Sequence, residues 1–208
     1  AEALAKADEA ARLKRLKEQE DLRNKQRDAI RRRLAKEEAD RIKAAKAAKK
    51  AGRVASEGLV NVTISNDNKH AAILEVNSET DFVTKGSAFI DFVEALGALA
   101  LKNRPESVES FLNQKLDSGE TVDEAREGII AKIGENISVR RVQIVSNESG
   151  VLGAYKHGDR IAVLTVLSSD DAELAKDVAM HIAASRPECV SEDQLSSELL
   201  EREKAIFI

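Results

Sequence analysis

Three hydrophobic patterns follow one another along the chain. In residues 1–50 large apolar side chains are sparse: Leu4, Leu13, Leu16, Leu22, Ile30, Leu34 and Ile42 stand among Ala, Lys, Arg, Glu and Asp, with no Gly, Pro or aromatic residue. That composition favours helix. Leu13 with Leu16 and Ile30 with Leu34 fall at helical spacings, giving a narrow apolar stripe without a sustained heptad. The pattern predicts one long exposed helix, suited to lie against a partner helix and ending near Gly52. Seven large apolar residues in fifty are too few to form a core of their own, so the arm should add little to the stability of the rest.

From Gly58 the period changes to two. Residues 59–65 (Leu-Val-Asn-Val-Thr-Ile-Ser) alternate and are rich in β-branched side chains, which reads as a strand. Asn66-Asp67-Asn68 is turn material and residues 72–76 form the returning strand of a hairpin. Helical spacing resumes after Ser78: Phe89, Phe92, Val93, Leu96, Leu99 and Ala100 recur every three or four residues until Asn103-Arg104-Pro105 ends the run. Thr121 with Glu124 forms a capping box, and the helix behind it stops at Gly134.

The third stretch repeats the alternation. Residues 137–145, 150–155 and 160–167 read as strands joined by short polar turns. Ser168-Ser169-Asp170 is expected to cap a helix with Leu174, Val178, Ile182 and Ala183 on one face, and Ser191 with Gln194 to open a last helix. The two strand-then-helix halves echo one another at an offset of roughly 85–90 residues, which suggests an internal duplication. The fold class expected is therefore α+β: a long N-terminal helix followed by two related subdomains with small antiparallel sheets packed against helices. The divisions expected are a basic helical arm at 1–50, a first subdomain at 51–136 and a second at 137–208, the last incomplete at its C-terminal end.

Charge sharpens this division. Residues 1–50 carry 17 Lys/Arg against 10 Asp/Glu, a net of +7, while residues 51–208 carry 16 against 27, a net of −11. An acidic body argues against nucleic acid as the main partner, because phosphate contacts need clustered cations. It suits docking on another protein. The longest apolar or Gly run, at 95–101, has about seven residues, far short of the ~20 that span a bilayer, so no membrane association is expected. The single cysteine, Cys189, fits a reducing compartment.

Catalytic signatures are missing. No Lys precedes Ser or Thr as in a phosphate-binding loop, and neither a G-x-G-x-x-G nor an H-E-x-x-H string occurs. His70, His157 and His181 are too far apart in sequence to form a local metal site. No catalytic residue, metal or cofactor is expected.

Three strings carry more information. Asn77-Ser78-Glu79-Thr80-Asp81-Phe82-Val83 resembles the N-x-E-T-D-F-V signature of the elongation factor Ts family. Residues 133–141 (Ile-Gly-Glu-Asn-Ile-Ser-Val-Arg-Arg) resemble its I-G-E-N-I-x-V-R-R, and residues 179–187 its A-M-H-I-A-A-x-x-P. Residues 49–58 and 153–158 (Gly-Ala-Tyr-Lys-His-Gly) add supporting matches, in family order over about residues 43–205. Residues 1–42 depart from the family, having nothing like its T-G-A-G-M-M-D-type N-terminal motif.

The resemblance implies a translation elongation factor of the bacterial cytoplasm, or of an organelle, that promotes guanine-nucleotide exchange on elongation factor Tu. It further implies that Thr80, Asp81, Phe82 and Val83 are the segment that disturbs the Mg²⁺ site of that GTPase, with His157 a second contact. On spacing alone, Phe82 would be a core residue and Asp81 a helix cap, and His157 an ordinary turn histidine. Glu135 and Asn136 read as closing the turn at Gly134, and Arg140 and Arg141, alternating on a strand, as facing opposite sides. A different class of reading is a scaffold in which the arm pairs with a partner helix.

Overall fold

A computed structural model describes the backbone of residues 2–206, and the side chains of all of these except 2–8, 10, 11 and 192. The stripe residue Leu4 therefore lies outside the described side chains. The chain runs α1 (Glu2–Ala48), β1 (Glu57–Ile64), β2 (His70–Ser78), α2 (Asp81–Thr84), α3 (Ser87–Asn103), α4 (Val108–Leu112), α5 (Val122–Ile133), β3 (Ile137–Ser146), β4 (Val151–His157), β5 (Ile161–Leu167), α6 (Ala172–Ser185) and α7 (Ser197–Ile206). A long N-terminal helix thus precedes two small antiparallel sheets packed with helices, as the hydrophobic pattern predicted.

The first sheet has the order β1-β2-β3, antiparallel throughout. Its covered face meets α3, and Phe89, Phe111, Leu74, Leu96 and Ile130 are all essentially fully buried between them. At roughly 1.5–3 kcal/mol for each large side chain taken out of water, this cluster dominates the stability of the fold. The helix ends follow local chemistry. Thr121 and Glu124 form the expected capping box, and α5 stops where Gly134 turns left-handed at φ 87°. Arg104, also left-handed, ends α3 directly before Pro105.

The strand at 137–146 does not join the strands that follow it. It pairs with β2, from Ser78↔Ile137 to His70↔Ser146, leaving β4 and β5 as a two-stranded sheet. The reason is apolar burial: Ile137 and Val139 point into the same cluster as Leu74 and Val76. Only by lying beside β2 can they do so.

The second sheet is covered by α6 in an arrangement that the spacing did not foresee. The buried face is Ala175, Ala179 and Ala183, whereas Leu174 and Val178, expected inside, are exposed. Small side chains let the helix approach until the Thr165 hydroxyl donates to the Ala175 carbonyl oxygen at 2.8 Å. The N-cap is Asp171, whose carboxylate accepts from the Leu174 amide at 2.9 Å, one residue beyond the predicted Ser-Ser-Asp. Ser191 and Gln194 do not open the last helix: Gln194 Oε1 accepts from the Val190 amide, and Ser196 accepts from the Leu199 amide at the start of α7.

The arm is helical as predicted, and Leu13, Leu16, Leu22, Ile30, Leu34 and Ile42 are all exposed. Its final turns are not free, however. Ala47 is buried in the main cluster, and Lys43 pairs with Glu120 at 3.5 Å, so the C-terminal end of α1 belongs to the body. Removing residues 1–38 should therefore leave the free energy of unfolding unchanged to within about 0.5 kcal/mol. Chemical denaturation of the truncated and full chains checks this.

A second expectation concerns the contact between α6 and its sheet. A Cβ at position 153 would run into the Ala175 backbone carbonyl and the Thr165 hydroxyl. Gly153→Ala should cost about 1–3 kcal/mol, the usual range for overpacking. Melting at unchanged temperature would contradict the close approach.

Candidate functional site

The antiparallel pairing sets the end of β2 against the beginning of β3, with Asn77 opposite Ser138 and Ser78 opposite Ile137. The strings 77–83 and 133–141, 50 or more residues apart in sequence, therefore meet at one end of the first sheet. Ser78 is fully buried and its hydroxyl donates to the Thr80 carbonyl oxygen at 3.0 Å, which turns the chain out of the strand. A single helical turn, α2, follows directly.

Thr80 occupies the N-cap position in an extended conformation, yet its side chain does not cap the turn. Glu135 has engaged it instead. The Thr80 amide donates to Glu135 Oε2 at 2.9 Å, and the Thr80 hydroxyl donates to Glu135 Oε1 at 2.7 Å. The reverse contact is equally direct: the Asn136 amide donates to Glu79 Oε1 at 2.6 Å. Arg53 closes the group, its guanidinium 3.4 Å from Glu79 and its carbonyl oxygen accepting from Asn136 Nδ2 at 2.7 Å. Glu135 and Asn136 thus reach across to the 79–80 segment rather than merely closing the turn at Gly134. Their side chains were read as local because no periodicity reveals a contact over this separation.

The Asn136 amide, and after it the Arg53 charge, hold the Glu79 carboxyl below the usual glutamate range. Both favour the charged form, and together they outweigh the burial that opposes it.

Beyond this anchor the turn splits its side chains. Val83 and Thr84 are buried, and the Thr84 hydroxyl donates back to the Asp81 carbonyl oxygen at 2.8 Å. Asp81 is exposed and meets Lys85 at 3.1 Å. Phe82 stands 81% exposed. It is not the core residue that spacing alone suggested. Thr80 to Val83 accordingly form one contiguous element: an anchored residue, an exposed carboxylate, an exposed phenyl ring and a buried valine.

His157 lies on the other sheet, exposed at the end of β4. Tyr155 stacks on it with ring centroids 6.2 Å apart, and the Tyr155 hydroxyl is 3.2 Å from Nδ1. His181 is exposed beside Ser185, and Cys189 is a half-buried free thiol.

Arg140 and Arg141 do not face opposite sides. Glu75 pairs with Arg141 and Val76 with Val139, so a bulge leaves Arg140 as the extra residue. Arg140 Nη1 lies 3.0 Å and Arg141 Nε 2.7 Å from the Glu75 carboxylate. Burial alone would raise the Glu75 carboxyl, but donors from Asn77, Arg141 and Arg140 outweigh it and hold the group below its usual range.

A groove of about 420 Å³ lies elsewhere, between the outer face of the first sheet and β5, lined by Val60, Ile73, Arg141, Arg160 and Ile161. It shares no lining residue with the 79–84 turn. Among the described residues no group of three or more His, Cys, Asp or Glu side chains could hold a metal ion, and no helix is long and apolar enough to cross a membrane.

Comparison with known proteins covers much of the same stretch of chain. The family model described as Elongation factor TS matches residues 79–208. A protein named elongation factor Ts from Ruthia magnifica subsp. Calyptogena magnifica is 64% identical over 165 residues, covering 79% of this chain and 56% of its own. Its namesakes from Methylococcus capsulatus and Legionella pneumophila (strain Paris) are 50% and 48% identical over 163 residues, covering 78% of this chain and 56% of theirs. The chain spans about half the length of the curated relatives it matches.

The anchor has a pH signature. Because the Glu79 carboxyl is held below its unfolded value, its contribution to stability is present above that value and is lost as pH falls through the folded one. The Asn136 amide proton should therefore titrate with a midpoint below the ordinary glutamate range. A midpoint within or above that range, read by amide chemical shift, would contradict the Glu79–Asn136 contact.

Proposed function

The chain belongs to the elongation factor Ts family, and on that premise we propose that it is a guanine-nucleotide exchange factor for elongation factor Tu. In this reading it docks on the GDP-bound GTPase and promotes release of the nucleotide, with no covalent chemistry of its own. The setting proposed is the cytoplasm of a bacterium.

The observation that carries the reading is Phe82, a large apolar side chain 81% exposed on a turn whose neighbours are fixed. Leaving a phenyl ring in water forgoes roughly 1.5–3 kcal/mol of burial. Buried in a partner, the same ring is a natural anchor. A GTPase holds GDP through its phosphate loop and a Mg²⁺ ion. A protein that binds the nucleotide-free form more tightly than the GDP form must weaken GDP binding by the same factor. The turn at 80–83 supplies what such a wedge needs: Phe82 to enter a pocket, Asp81 to bring a negative charge toward the cation site, and Val83 to tie the element to the core. His157 is proposed as a second contact, from the other sheet.

The exposed apolar residues of α1 favour a second reading, in which the arm holds a partner helix and the body is a scaffold. The two separate in one assay. Phe82→Ala should slow catalysed GDP release from elongation factor Tu by about thirtyfold, the equivalent of about 2 kcal/mol on the hot-spot scale. The melting temperature should stay within a degree or two, because an exposed ring contributes little to the fold. Normal release by a folded Phe82→Ala chain would defeat the wedge and leave the scaffold reading standing.

A further inference from the structure

We propose that Glu135 is a positioning residue: its carboxylate holds the turn that presents Phe82, so that the ring is set before any partner arrives. This deepens the exchange-factor reading and rests on it. The inference starts from a local defect. A single-turn helix such as α2 cannot persist on its own, because a nucleus of one turn fixes several dihedral angles for very few hydrogen bonds. Its N-cap side chain is also engaged elsewhere, so the usual terminal support is absent. Something outside the turn must define it.

Glu135 supplies that support from another segment. Both of its oxygens are committed to Thr80, one to the amide and one to the hydroxyl. A carboxylate accepting two donors from one residue fixes orientation as well as distance. Glu135 in turn is placed by Gly134, whose left-handed conformation turns the chain out of α5, and by β3, which begins at Ile137. Asn136 returns the contact through Glu79. Two adjacent residues on each side therefore exchange carboxylate-to-amide bonds, and Phe82 lies two residues beyond the joint. On the other side of the ring, Val83 and the Thr84 hydroxyl pin the turn to the body. Phe82 itself is left with no burial to hold it. Its placement is inherited from the residues flanking it.

The consequence is one of affinity. A ring held ready loses little freedom on docking, whereas a ring on a loose turn must be ordered at that moment, which weakens apparent affinity without altering the docked state. Glu135→Ala should raise the concentration of the chain that half-saturates GDP release about tenfold, with the limiting rate unchanged. Amide hydrogen exchange at residues 80–84 should accelerate, while α3 and the β2–β3 ladder keep their protection. Glu135→Gln should restore both measurements, because its carbonyl oxygen can take the Thr80 amide and its NH₂ can donate to the Thr80 hydroxyl oxygen.

The proposal is overturned if Glu135→Ala leaves both measurements at wild-type values, or if release changes while protection at 80–84 does not. Loss of protection throughout β2, β3 and α5 would also overturn it, because Glu135 would then be holding the fold rather than the turn. Phe82→Ala in parallel keeps the two ideas apart. Normal release with that variant sinks the wedge, whereas amide protection in Glu135→Ala still reports whether the clamp exists.

Discussion

The antiparallel pairing of β2 with β3 is the constraint on which the rest of the molecule depends. It carries the chain from the end of one strand, through four helices, back to a point opposite its own departure. Two of the three strings that bear family resemblance meet at that point. The bulge at Glu75 is part of the same device. By adding one residue to β3 it brings two arginines onto one outer-face carboxylate and shifts the phase of the strand, so that Ile137 and Val139 still face the core. A regular ladder of the same length would have turned those two side chains to the outer face.

Around this joint the molecule pairs its polar groups and leaves the ring of Phe82 in solvent. Glu79, Thr80, Glu135, Asn136 and Arg53 exchange hydrogen bonds among themselves, and the partly buried carboxylates each have a donor. Unpaired, any of them would cost about 1–3 kcal/mol. The exposed Phe82 forgoes a comparable amount of burial, and it sits on a turn that these bonds hold. Rigid support beneath an exposed ring is the arrangement expected of a docking element, since pre-ordering lowers the cost of association.

Much of the fold was legible from period alone. The alternation at 59–65 and the three- and four-residue steps at 89–100 became β1 and α3 because intrinsic preference and burial agree there. Strand partnership was not legible. Residues 137–146 lie nearer in sequence to β4 than to β2, and only the shared burial of Ile137 with Leu74 decides otherwise. The face of α6 misled for a related reason. Spacing points large apolar residues inward, but the buried face is Ala175, Ala179 and Ala183, with the Ala175 backbone seated against Gly153. Thr80 to Val83, the segment proposed to enter the partner, could be named because the family string is contiguous. The contact of Glu135 with Thr80 could not, because a contact between residues 55 apart leaves no mark on local spacing.

The second sheet, which carries His157, has two strands. Two strands alone are marginal in water, so β4 and β5 must draw stability from elsewhere. The alanine face of α6 supplies packing on one side. Backbone bonds to the first sheet supply the rest: the Val60 amide donates to the Asp159 carbonyl oxygen and the Leu152 amide to the Asn68 carbonyl oxygen, both at 2.8 Å. Lys69 Nζ adds a bond to the Gly150 carbonyl oxygen, and Arg160 an ion pair to Glu57. Asp159 and Arg160 lie in the turn immediately after His157. The histidine's position is therefore referred to β1, the same strand whose approach residues, through Arg53 and Asn136, anchor the turn of Phe82. Tyr155, stacked on His157, fixes the ring's own orientation. The two proposed contacts are thus tied to one strand by separate sets of hydrogen bonds, so loosening either sheet joint would displace one contact relative to the other.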